Sequence, residues 1–453
     1  MINPSEPLST AIMNKKESSN LTDQKMGLGS AVLMGLGGMI GAGIFVLLGE
    51  AGAVAGSAVW LSFLIAGLIA LLTGYSYGKL GARYPSAGGV VEFLTQGYGV
   101  GVMSGSASVL YYLAQVISIS MLAVSFGTYG APLLFGSGSS HASGAILGST
   151  LLVAVTLVNF VGSKTVTKVE SIVVGINVII LMVFTVPALT QVEPDLIAPS
   201  TYPSARLIMS SLALTFFAFT GFGVITNTAE DIKDPKKNLP RAMMLSIGIV
   251  MALYVAIAVA VYGTLPVEKV LAAKSTALAV AAEPTLGHAG FVLVSLSAML
   301  AAASAINANL YGTTNQTYLL AKDGELPQGF GRRVWKQGTE GLAITALLAL
   351  VLANTLDLTA IASLASITML LVYFLVNLGH LRLTHETGSS RIVILLAVLT
   401  GLAVLVVFIY HVVSTAPMTA VALVGLIAAA FIGEILLQKL RQRKIQPRCQ
   451  GAQ

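Results

Sequence analysis

The sequence has little charge and almost no cysteine. Of its 453 residues only 10% are Asp, Glu, Lys or Arg, and Cys449 is the single cysteine. One cysteine excludes an internal disulfide and a cysteine-based metal site built by this chain alone. Soluble domains carry about 25% charged residues. A chain so poor in charge cannot cover the surface of a soluble globule of its size.

Residue patterns typical of catalysis are also lacking. The sequence has no His-x-x-x-His or Glu-x-x-His metal motif and no phosphate-binding loop, because Gly35-x-Gly37-x-x-Ile40 lacks the third glycine and a preceding strand. We therefore expect neither an enzyme nor a resident cofactor. The net charge of +6 follows from the membrane topology inferred below, so nucleic-acid binding is not expected either.

Long apolar runs make up most of the chain. Hydrophobic residues account for 55%, and the mean hydropathy is +0.85. A helix needs about 20 apolar residues to cross roughly 30 Å of hydrocarbon. The runs predict an all-α polytopic membrane protein with twelve transmembrane helices, approximately at 27–49, 54–78, 100–130, 143–161, 171–190, 206–228, 241–264, 289–320, 341–355, 359–381, 391–412 and 417–438.

Positive charges indicate the orientation, because Lys and Arg in short loops stay in the cytoplasm. With a cytoplasmic N-terminus, 22 of the 25 Lys and Arg residues fall on the cytoplasmic side, leaving Arg206, Lys269 and Lys274 on the other. We predict a multi-pass protein of the cell (inner/cytoplasmic) membrane whose polar tail 1–24 and basic tail 439–453 are both cytoplasmic. The lipid bilayer is then a partner, no cleavable signal peptide is expected, and the oligomeric state stays open.

Two of the apolar runs are interrupted by glycine near their middle. Residues 39–45 read Met-Ile-Gly-Ala-Gly-Ile-Phe, and residues 217–223 read Phe-Ala-Phe-Thr-Gly-Phe-Gly. In hydrocarbon an unpaired backbone group costs several kcal/mol, so a helix breaks only where the freed groups face a partner or a cavity. Glycine breaks at corresponding positions of two halves are the sequence sign of a transporter binding site.

The positions of the breaks predict an internal repeat. They fall in the first and sixth predicted helices, which are five helices apart in the order, and an odd offset reverses the orientation. We predict that helices 1–5 (25–190) and helices 6–10 (206–381) form a five-plus-five inverted repeat in which broken helices 1 and 6 face each other. Helices 11 and 12 (391–438) stand outside the repeat.

Three motifs carry a resemblance to a known family. Residues 41–45 read Gly-Ala-Gly-Ile-Phe, the second break continues into the charged, proline-containing loop 229–241, and residues 321–327 read Ala-Lys-Asp-Gly-Glu-Leu-Pro. Over roughly residues 25–440 the chain resembles permeases of the amino acid, polyamine and organocation (APC) superfamily. The resemblance implies a five-plus-five repeat with two extra helices. It also implies transport of an amino acid or related amine by alternating access, as a cation symporter or an exchanger.

The broken helices are predicted to bind the substrate through their backbone. A zwitterion needs donors for its carboxylate and acceptors for its ammonium, and a broken helix offers both. We assign the carboxylate to the amides around Ala42, Gly43 and Ile44. The ammonium is assigned to carbonyls near Ile40, Phe217, Ala218 and Thr220. The full predicted set is Ile40, Gly41, Ala42, Gly43, Ile44, Phe217, Ala218, Phe219, Thr220 and Gly221.

Several of these residues have a second interpretation. Gly37 and Gly41 form a Gly-xxx-Gly pair that suits close helix packing, and both roles can hold together. The resemblance places aromatic gates at Phe217 and Phe219, although aromatics in membrane helices also fill the core. A further polar set consists of secondary substrate contacts or interhelical hydrogen-bond partners: Tyr112, Gln115 and Asn307, with the neighbouring Tyr111 and Asn309.

The predicted site lacks ionisable side chains. Related permeases often carry an acid where this chain has Gly223, a lysine where it has Asn177, and an arginine where it has Asn315. Without an acid, a polycation would lose its hydration uncompensated. We therefore favour a small neutral, hydrophobic amino acid. The alternatives are a polyamine, another organic amine or an inorganic cation, and a passive channel is a further one because broken helices also line pores.

The coupling ion stays open at this stage. Protons could act through Glu92, Glu170 or Glu230, which lie at the rim of the predicted spans. Sodium could bind oxygen atoms near Gly37, Ile40 and Ser304, because hard cations accept oxygen ligands. Exchange without a coupling ion is the third option.

Overall fold

Helices account for most of the structure. The computed structural model of the chain describes residues 25–41, 43–86, 88–136, 140–161, 166–322, 331–335 and 338–441. Within these ranges it contains seventeen α-helices: α1 (Leu28–Ile40), α2 (Gly43–Ala55), α3 (Val59–Arg83), α4 (Val90–Tyr98), α5 (Val102–Phe135), α6 (His141–Val161), α7 (Val166–Leu189), α8 (Ala205–Phe217), α9 (Val224–Asn227), α10 (Pro235–Thr264), α11 (Val267–Ala273), α12 (Ala277–Leu286), α13 (His288–Lys322), α14 (Glu340–Thr355), α15 (Leu358–Thr387), α16 (Arg391–Thr415) and α17 (Pro417–Arg441).

The lengths and compositions of these helices are those of a membrane protein. Ten helical stretches in the described ranges are long and apolar enough to cross a membrane, and α1 and α14 are shorter apolar helices. Large hydrophobic side chains are exposed along α7, α16 and α17, as expected for surfaces that face lipid. The prediction of a helical, multi-pass membrane protein is confirmed at this level, whereas the count of twelve spans and the repeat stay predictions.

One element departs from the all-helical prediction. Two short strands, β1 (Arg333–Trp335) and β2 (Gly338–Thr339), pair antiparallel just before α14. The side chain of Thr339 then accepts a hydrogen bond from the amide of Leu342 at 3.2 Å and caps the start of α14. The two strands therefore lead directly into the capped start of α14. They leave the helical architecture unchanged.

Both glycine-interrupted runs break in the structure. The first run is divided into α1, which ends at Ile40, and α2, which begins at Gly43. The second is divided into α8 and α9, with a 3-10 turn over Thr220–Gly223 between them. Glycine is about 1 kcal/mol less favourable than alanine inside a helix, so a cluster of glycines marks where a helix can give way. The sequence located both breaks correctly.

Two groups of helices surround the breaks. In one, α3 packs along α10, and α1, α2 and α8 pack against this pair. In the other, α5 packs against α6, α13 and α14. Helix α15 contacts α3 and α8 of the first group and α5 of the second. The two helix breaks therefore lie at the boundary between the groups.

A short backbone bridge connects the two broken segments at one end. The amide of Met26 donates to the carbonyl of Asp231 at 2.7 Å, and the amide of Lys233 donates to the carbonyl of Met26 at 2.9 Å. These bonds form a parallel bridge between Met26 and Ile232. The start of α1 is thereby tied to the chain that follows α9.

Candidate functional site

The two helix breaks touch each other through glycine. A Cβ built on Gly38 would lie 2.5 Å from the carbonyl oxygen of Gly221, and one on Gly43 would lie 2.8 Å from the carbonyl oxygen of Ala218. Real Cβ atoms essentially never show contacts shorter than 3.0 Å. Only glycine therefore allows the backbones to approach this closely.

A cavity borders both breaks. Its empty space, including the open mouth, is about 560 Å³. The lining comes from both breaks and from α5, α13 and α15: Gly38, Met39, Gly43, Tyr111, Gln115, Ser118, Leu122, Phe217, Ala218, Thr220, Gly221, Gly223, Val224, Ala305, Asn309, Met369 and Tyr373. None of these described lining residues is Asp, Glu, Lys, Arg or His. Because a buried charge needs a partner, such a lining favours a ligand without net charge.

Two tyrosines stabilise the freed backbone at the breaks. The hydroxyl of Tyr254 on α10 donates to the carbonyl of Met39 at 2.7 Å, and the hydroxyl of Tyr373 on α15 donates to the carbonyl of Thr220 at 2.5 Å. The Thr220 hydroxyl donates in turn to the carbonyl of Phe217 at 2.8 Å. These hydroxyls supply partners that the broken helices no longer provide. The sequence analysis missed both tyrosines, and the signal that could have found them is a polar group inside an apolar span.

Five of the ten predicted substrate-binding residues line this cavity. They come from the start of α2 and from the break between α8 and α9: Gly43, Phe217, Ala218, Thr220 and Gly221. Ile40 and Gly41 line a second, smaller cavity. Ala42 lies outside the described residues. The structure thus brings the two predicted segments together around one space.

Ile44 and Phe219 do not line either of these cavities. Both side chains are fully buried, at 0% exposure. The ring of Phe219 packs against that of Tyr254, with centroids 5.3 Å apart. A helix turns by about 100° per residue, so the neighbours of lining residues point into the core. Of the two phenylalanines predicted as gates, Phe217 is the one that borders the cavity.

Two of the three predicted secondary contacts lie away from the cavity. The hydroxyl of Tyr112 lies 3.1 Å from Oγ1 of Thr345 on α14, and Asn307 accepts a hydrogen bond from Asn159 on α6 at 2.8 Å. The structure therefore supports the alternative of interhelical hydrogen bonding for Tyr112 and Asn307. Gln115, the third predicted contact, lines the cavity, together with Tyr111 and Asn309.

The smaller cavity lies beside the first break and holds about 210 Å³ of empty space. Its lining includes the three residues predicted for a sodium site, Gly37, Ile40 and Ser304, together with Gly41 and Asn177. The groups available to a cation here are backbone carbonyls, a hydroxyl and an amide. In the described part of the chain no group of three or more His, Cys, Asp or Glu residues could hold a metal ion. The described lining thus offers oxygen atoms but no carboxylate to a cation.

Close packing surrounds this smaller cavity. A Cβ on Gly37 would lie 2.6 Å from Cγ2 of Val174, and one on Gly41 would lie 2.6 Å from Cβ of Ala305. The packing interpretation of the Gly-xxx-Gly pair is therefore confirmed. On the wall formed by α7, Oδ1 of Asn177 accepts a hydrogen bond from Oγ of Ser297 at 2.9 Å.

An aromatic cluster adjoins one wall of the main cavity. Tyr77, Phe93, Phe222 and Tyr373 are buried, and the centroids of contacting rings lie 4.8 to 5.7 Å apart. The cluster extends from Tyr373 at the cavity wall to Phe93 on α4. Edge-to-face and offset arrangements are the preferred geometries of aromatic pairs. The cluster therefore packs α3, α4 and α15 together beside the cavity.

These features define a class of protein. Many long apolar helices surround a neutral cavity at which two broken helices meet, and this is the architecture of a membrane transport protein. Comparison with known proteins then identifies the family, because the profile described as "Amino acid permease" matches residues 26–436. The chain belongs to this family, within the APC superfamily. The resemblance drawn from the motifs is confirmed, and so is the prediction of a transporter rather than an enzyme.

Three relatives illustrate the range of the family. The inner membrane transport protein YbaT of Escherichia coli (strain K12) is 35% identical over 421 residues, covering 93% of this chain and 98% of its own. The branched-chain amino acid permease BcaP of Bacillus subtilis (strain 168) is 26% identical over 376 residues, covering 79% and 80%. The methylthioribose transporter of Bacillus subtilis (strain 168) is 26% identical over 365 residues, covering 77% and 78%. The last two names give different substrates, so family membership alone does not select the substrate.

Proposed function

We propose that this protein is a secondary active transporter that moves a small neutral amino acid across the membrane by alternating access. The observation that carries the proposal is the cavity at the two helix breaks, which exposes freed backbone and has no charged side chain in its described lining. The main chain of an amino acid carries one charge of each sign, and a broken helix offers N–H donors for one and carbonyl acceptors for the other. A cavity without charged side chains in its described lining can therefore bind the main chain of an amino acid.

The substrate carboxylate is assigned to the amides of Ala42, Gly43 and Ile44. Helix α2 begins at Gly43, and the first four amides of a helix have no partner within it. The positive end of the helix dipole points the same way and favours an anion. Gly43 lines the cavity, so its amide borders the space where the substrate would bind.

The substrate ammonium is assigned to carbonyls on the opposite side of the breaks. The carbonyls of Phe217 and Thr220 each accept one hydrogen bond from a protein hydroxyl. A carbonyl oxygen has two lone pairs, so each can accept a second bond from a ligand. The remaining assigned carbonyls are those of Ile40 and Ala218, and Gly41, Phe219 and Gly221 complete the proposed substrate-binding segments.

The architecture proposed for the whole chain has twelve spans, with a five-plus-five inverted repeat and two further helices. Twelve spans result when α1 and α2 form one broken helix, α8 and α9 form another, and the short helix α14 crosses the membrane. The sorting of the Lys and Arg residues supports cytoplasmic termini. The relative YbaT is named as an inner membrane protein, which is consistent with the proposed location in the cell membrane.

Three modes of coupling are proposed for test. Sodium symport would use the smaller cavity, whose lining brings Gly37, Ile40 and Ser304 together. Proton symport would use a titratable group outside the main cavity, because none of its described lining residues is an acid or a histidine. Exchange of one amino acid for another needs no coupling ion.

A polyamine or another organic cation is the main alternative substrate. Such a ligand would need a carboxylate to replace its hydration, and the described lining supplies none. An inorganic cation as the transported species would be limited to the smaller cavity. The neutral amino acid therefore fits the geometry better.

Uptake by the purified protein in liposomes tests the proposal. We expect saturable uptake of at least one neutral amino acid, measured with radiolabelled compounds under an inward proton gradient, an inward sodium gradient or neither. Dependence on one gradient would identify the ion, and uptake only into liposomes preloaded with amino acid would identify exchange. Uptake of no amino acid, or uptake of polyamines only, would refute the proposal. Flux that does not saturate would indicate a channel.

A further inference from the structure

The wall of the main cavity formed by α5 and α13 carries polar side chains without a protein partner. Gln115 on α5 and Asn309 on α13, which carry carboxamides, line the cavity, and so does Tyr111, which lies one turn before Gln115. Within the part of the chain that the structure describes, none of these three side chains makes a hydrogen bond to another protein group. Their hydrogen-bonding capacity is therefore available to whatever fills the cavity.

Three other side-chain amides in the core of the bundle each have a protein partner. Asn307 accepts from Asn159, and Asn177 accepts from a serine hydroxyl. Asn377 on α15 donates to Oγ1 of Thr73 on α3 at 3.2 Å. Polar side chains at membrane depth are normally paired in this way. Unpaired polar atoms also occur elsewhere in the described bundle, among them Nε2 of Gln316 and Oγ of Ser106. What distinguishes Tyr111, Gln115 and Asn309 is that they border the cavity.

We propose that Tyr111, Gln115 and Asn309 bind the side chain of the transported amino acid. The preferred substrate is then a neutral amino acid whose side chain carries a hydroxyl or a carboxamide. This inference rests on the proposed function and narrows it. It also replaces the hydrophobic side chain favoured by the sequence with a polar one.

The chemistry of the wall selects this class for two reasons. A carboxamide offers both donors and an acceptor, so it matches a hydroxyl or a second carboxamide, whereas a charged side chain would find no counter-charge in the described lining. An aliphatic side chain would displace water from the two carboxamides and return no hydrogen bond. A site that hydrogen-bonds a group of its substrate strongly rejects an analogue that lacks this group. An apolar pocket discriminates much less between two ligands that differ by one methylene.

Isosteric pairs of amino acids test the inference on the unmodified protein. Threonine and valine have nearly the same shape, as do asparagine and leucine, and the members of each pair differ in hydrogen bonding. We expect radiolabelled threonine and asparagine to be taken up into proteoliposomes with a KM at least about tenfold lower than their apolar counterparts. Equal or better uptake of valine and leucine would overturn the inference and leave the proposed function intact. Uptake of no amino acid would instead refute the proposed function.

Substitutions with matched controls assign the preference to the wall. Gln115→Leu, Asn309→Leu and Tyr111→Phe should each reduce the threonine-to-valine preference, mainly by raising the KM for threonine. Asn307→Leu and Tyr112→Phe make the same chemical changes on the same helices at positions away from the cavity. The controls should keep the wild-type preference. An unchanged preference in all three wall variants, or an equal loss in the controls, would contradict the assignment.

Discussion

Single atoms decide what fits at the first helix break. Gly43 lies between the hydroxyl of Tyr254 and the carbonyl of Ala218, so only a hydrogen can occupy the position of its side chain. The sequence motif predicted Gly43 as a site residue, but the reason for glycine lies on α10 and α8. The sequence alone does not show which residues from other parts of the chain pack against a glycine.

Replacing Gly43 should disable the site without removing the protein from the membrane. In Gly43→Val the new side chain would overlap the Tyr254 hydroxyl and the Ala218 carbonyl. Overpacking costs about 1–3 kcal/mol, so we expect at least about a tenfold loss of amino acid uptake. Uptake per inserted protein in proteoliposomes measures the effect. Gly248→Val on α10, where no atom lies within 4 Å of a built Cβ, is the control that should retain uptake.

The hydroxyl of Tyr254 should contribute to stability through the carbonyl of Met39. Tyr254→Phe leaves that carbonyl without its donor, and an unsatisfied buried group costs about 1–3 kcal/mol. We expect a lower midpoint of thermal unfolding in detergent. Tyr262→Phe is the matched control, because the Tyr262 hydroxyl lies 3.5 Å from the carbonyl of Leu48, at the limit of a hydrogen bond. An equal fall of the unfolding midpoint in both variants would contradict a stabilising role for the hydrogen bond from Tyr254 to Met39.

At the scale of helices, polar contacts join α15 to α3. Nδ1 of His380 lies 2.7 Å from Oγ of Ser76 on α3, and Nε2 lies 2.9 Å from Oγ1 of Thr387. One turn earlier on each helix, Asn377 donates to Thr73. Both helices also contribute to the aromatic cluster, through Tyr77 and Tyr373. These contacts hold the two helices together beside the cavity.

Removing the Ser76 hydroxyl should loosen this helix pair. Ser76→Ala leaves one nitrogen of buried His380 without its partner, so we expect the free energy of unfolding to fall by about 1–3 kcal/mol. Ser106→Ala on α5 is the control, because Oγ of Ser106 is buried and makes no hydrogen bond in the described structure. The control should be neutral or slightly stabilising. Denaturation in detergent, followed by intrinsic fluorescence or aggregation, compares the stability of the two variants. A smaller loss of stability for Ser76→Ala than for Ser106→Ala would contradict the expectation.

Helix breaks could be predicted from the sequence, and short connecting helices could not. The breaks follow from glycine clusters inside apolar runs, which is a local signal. Helices α4, α11 and α12 are only 9, 7 and 10 residues long and do not form apolar runs of membrane length. Their helical state depends on packing against longer helices, such as α4 on α15 and α12 on α13. Short helices gain most of their stability from such tertiary contacts.

At the scale of the whole molecule, charge and hydropathy set the relation to the membrane. Exposed apolar side chains cover the outside of the bundle on α7, α16 and α17, and the described lining of the cavity inside is neutral. Of the 25 Lys and Arg residues, 22 are assigned to one side of the membrane and only three to the other. This asymmetry predicts the orientation of the chain in the membrane.

The single cysteine allows a direct test of that orientation. We expect Cys449 to react with a membrane-impermeant thiol reagent in inverted vesicles and not in right-side-out vesicles, since the C-terminal tail is predicted to be cytoplasmic. Introducing Ser200→Cys together with Cys449→Ser should give the opposite pattern. Ser200 lies in the exposed segment between α7 and α8, on the predicted outer side. Labelling of Cys449 in right-side-out vesicles would contradict the predicted topology.

The sequence by itself determined the class of protein and the places where its helices break, because composition, run length and glycine clusters act locally. The tertiary structure decided which polar side chains meet the cavity. Tyr111 and Asn309 line it, whereas Tyr112 and Asn307 pair with neighbouring helices. Adjacent residues differ by about 100° around a helix, and a helix that is apolar all round carries no stripe to show which face turns inward. Only the packing of α5 and α13 against their neighbours fixes that rotation, and with it the proposed specificity.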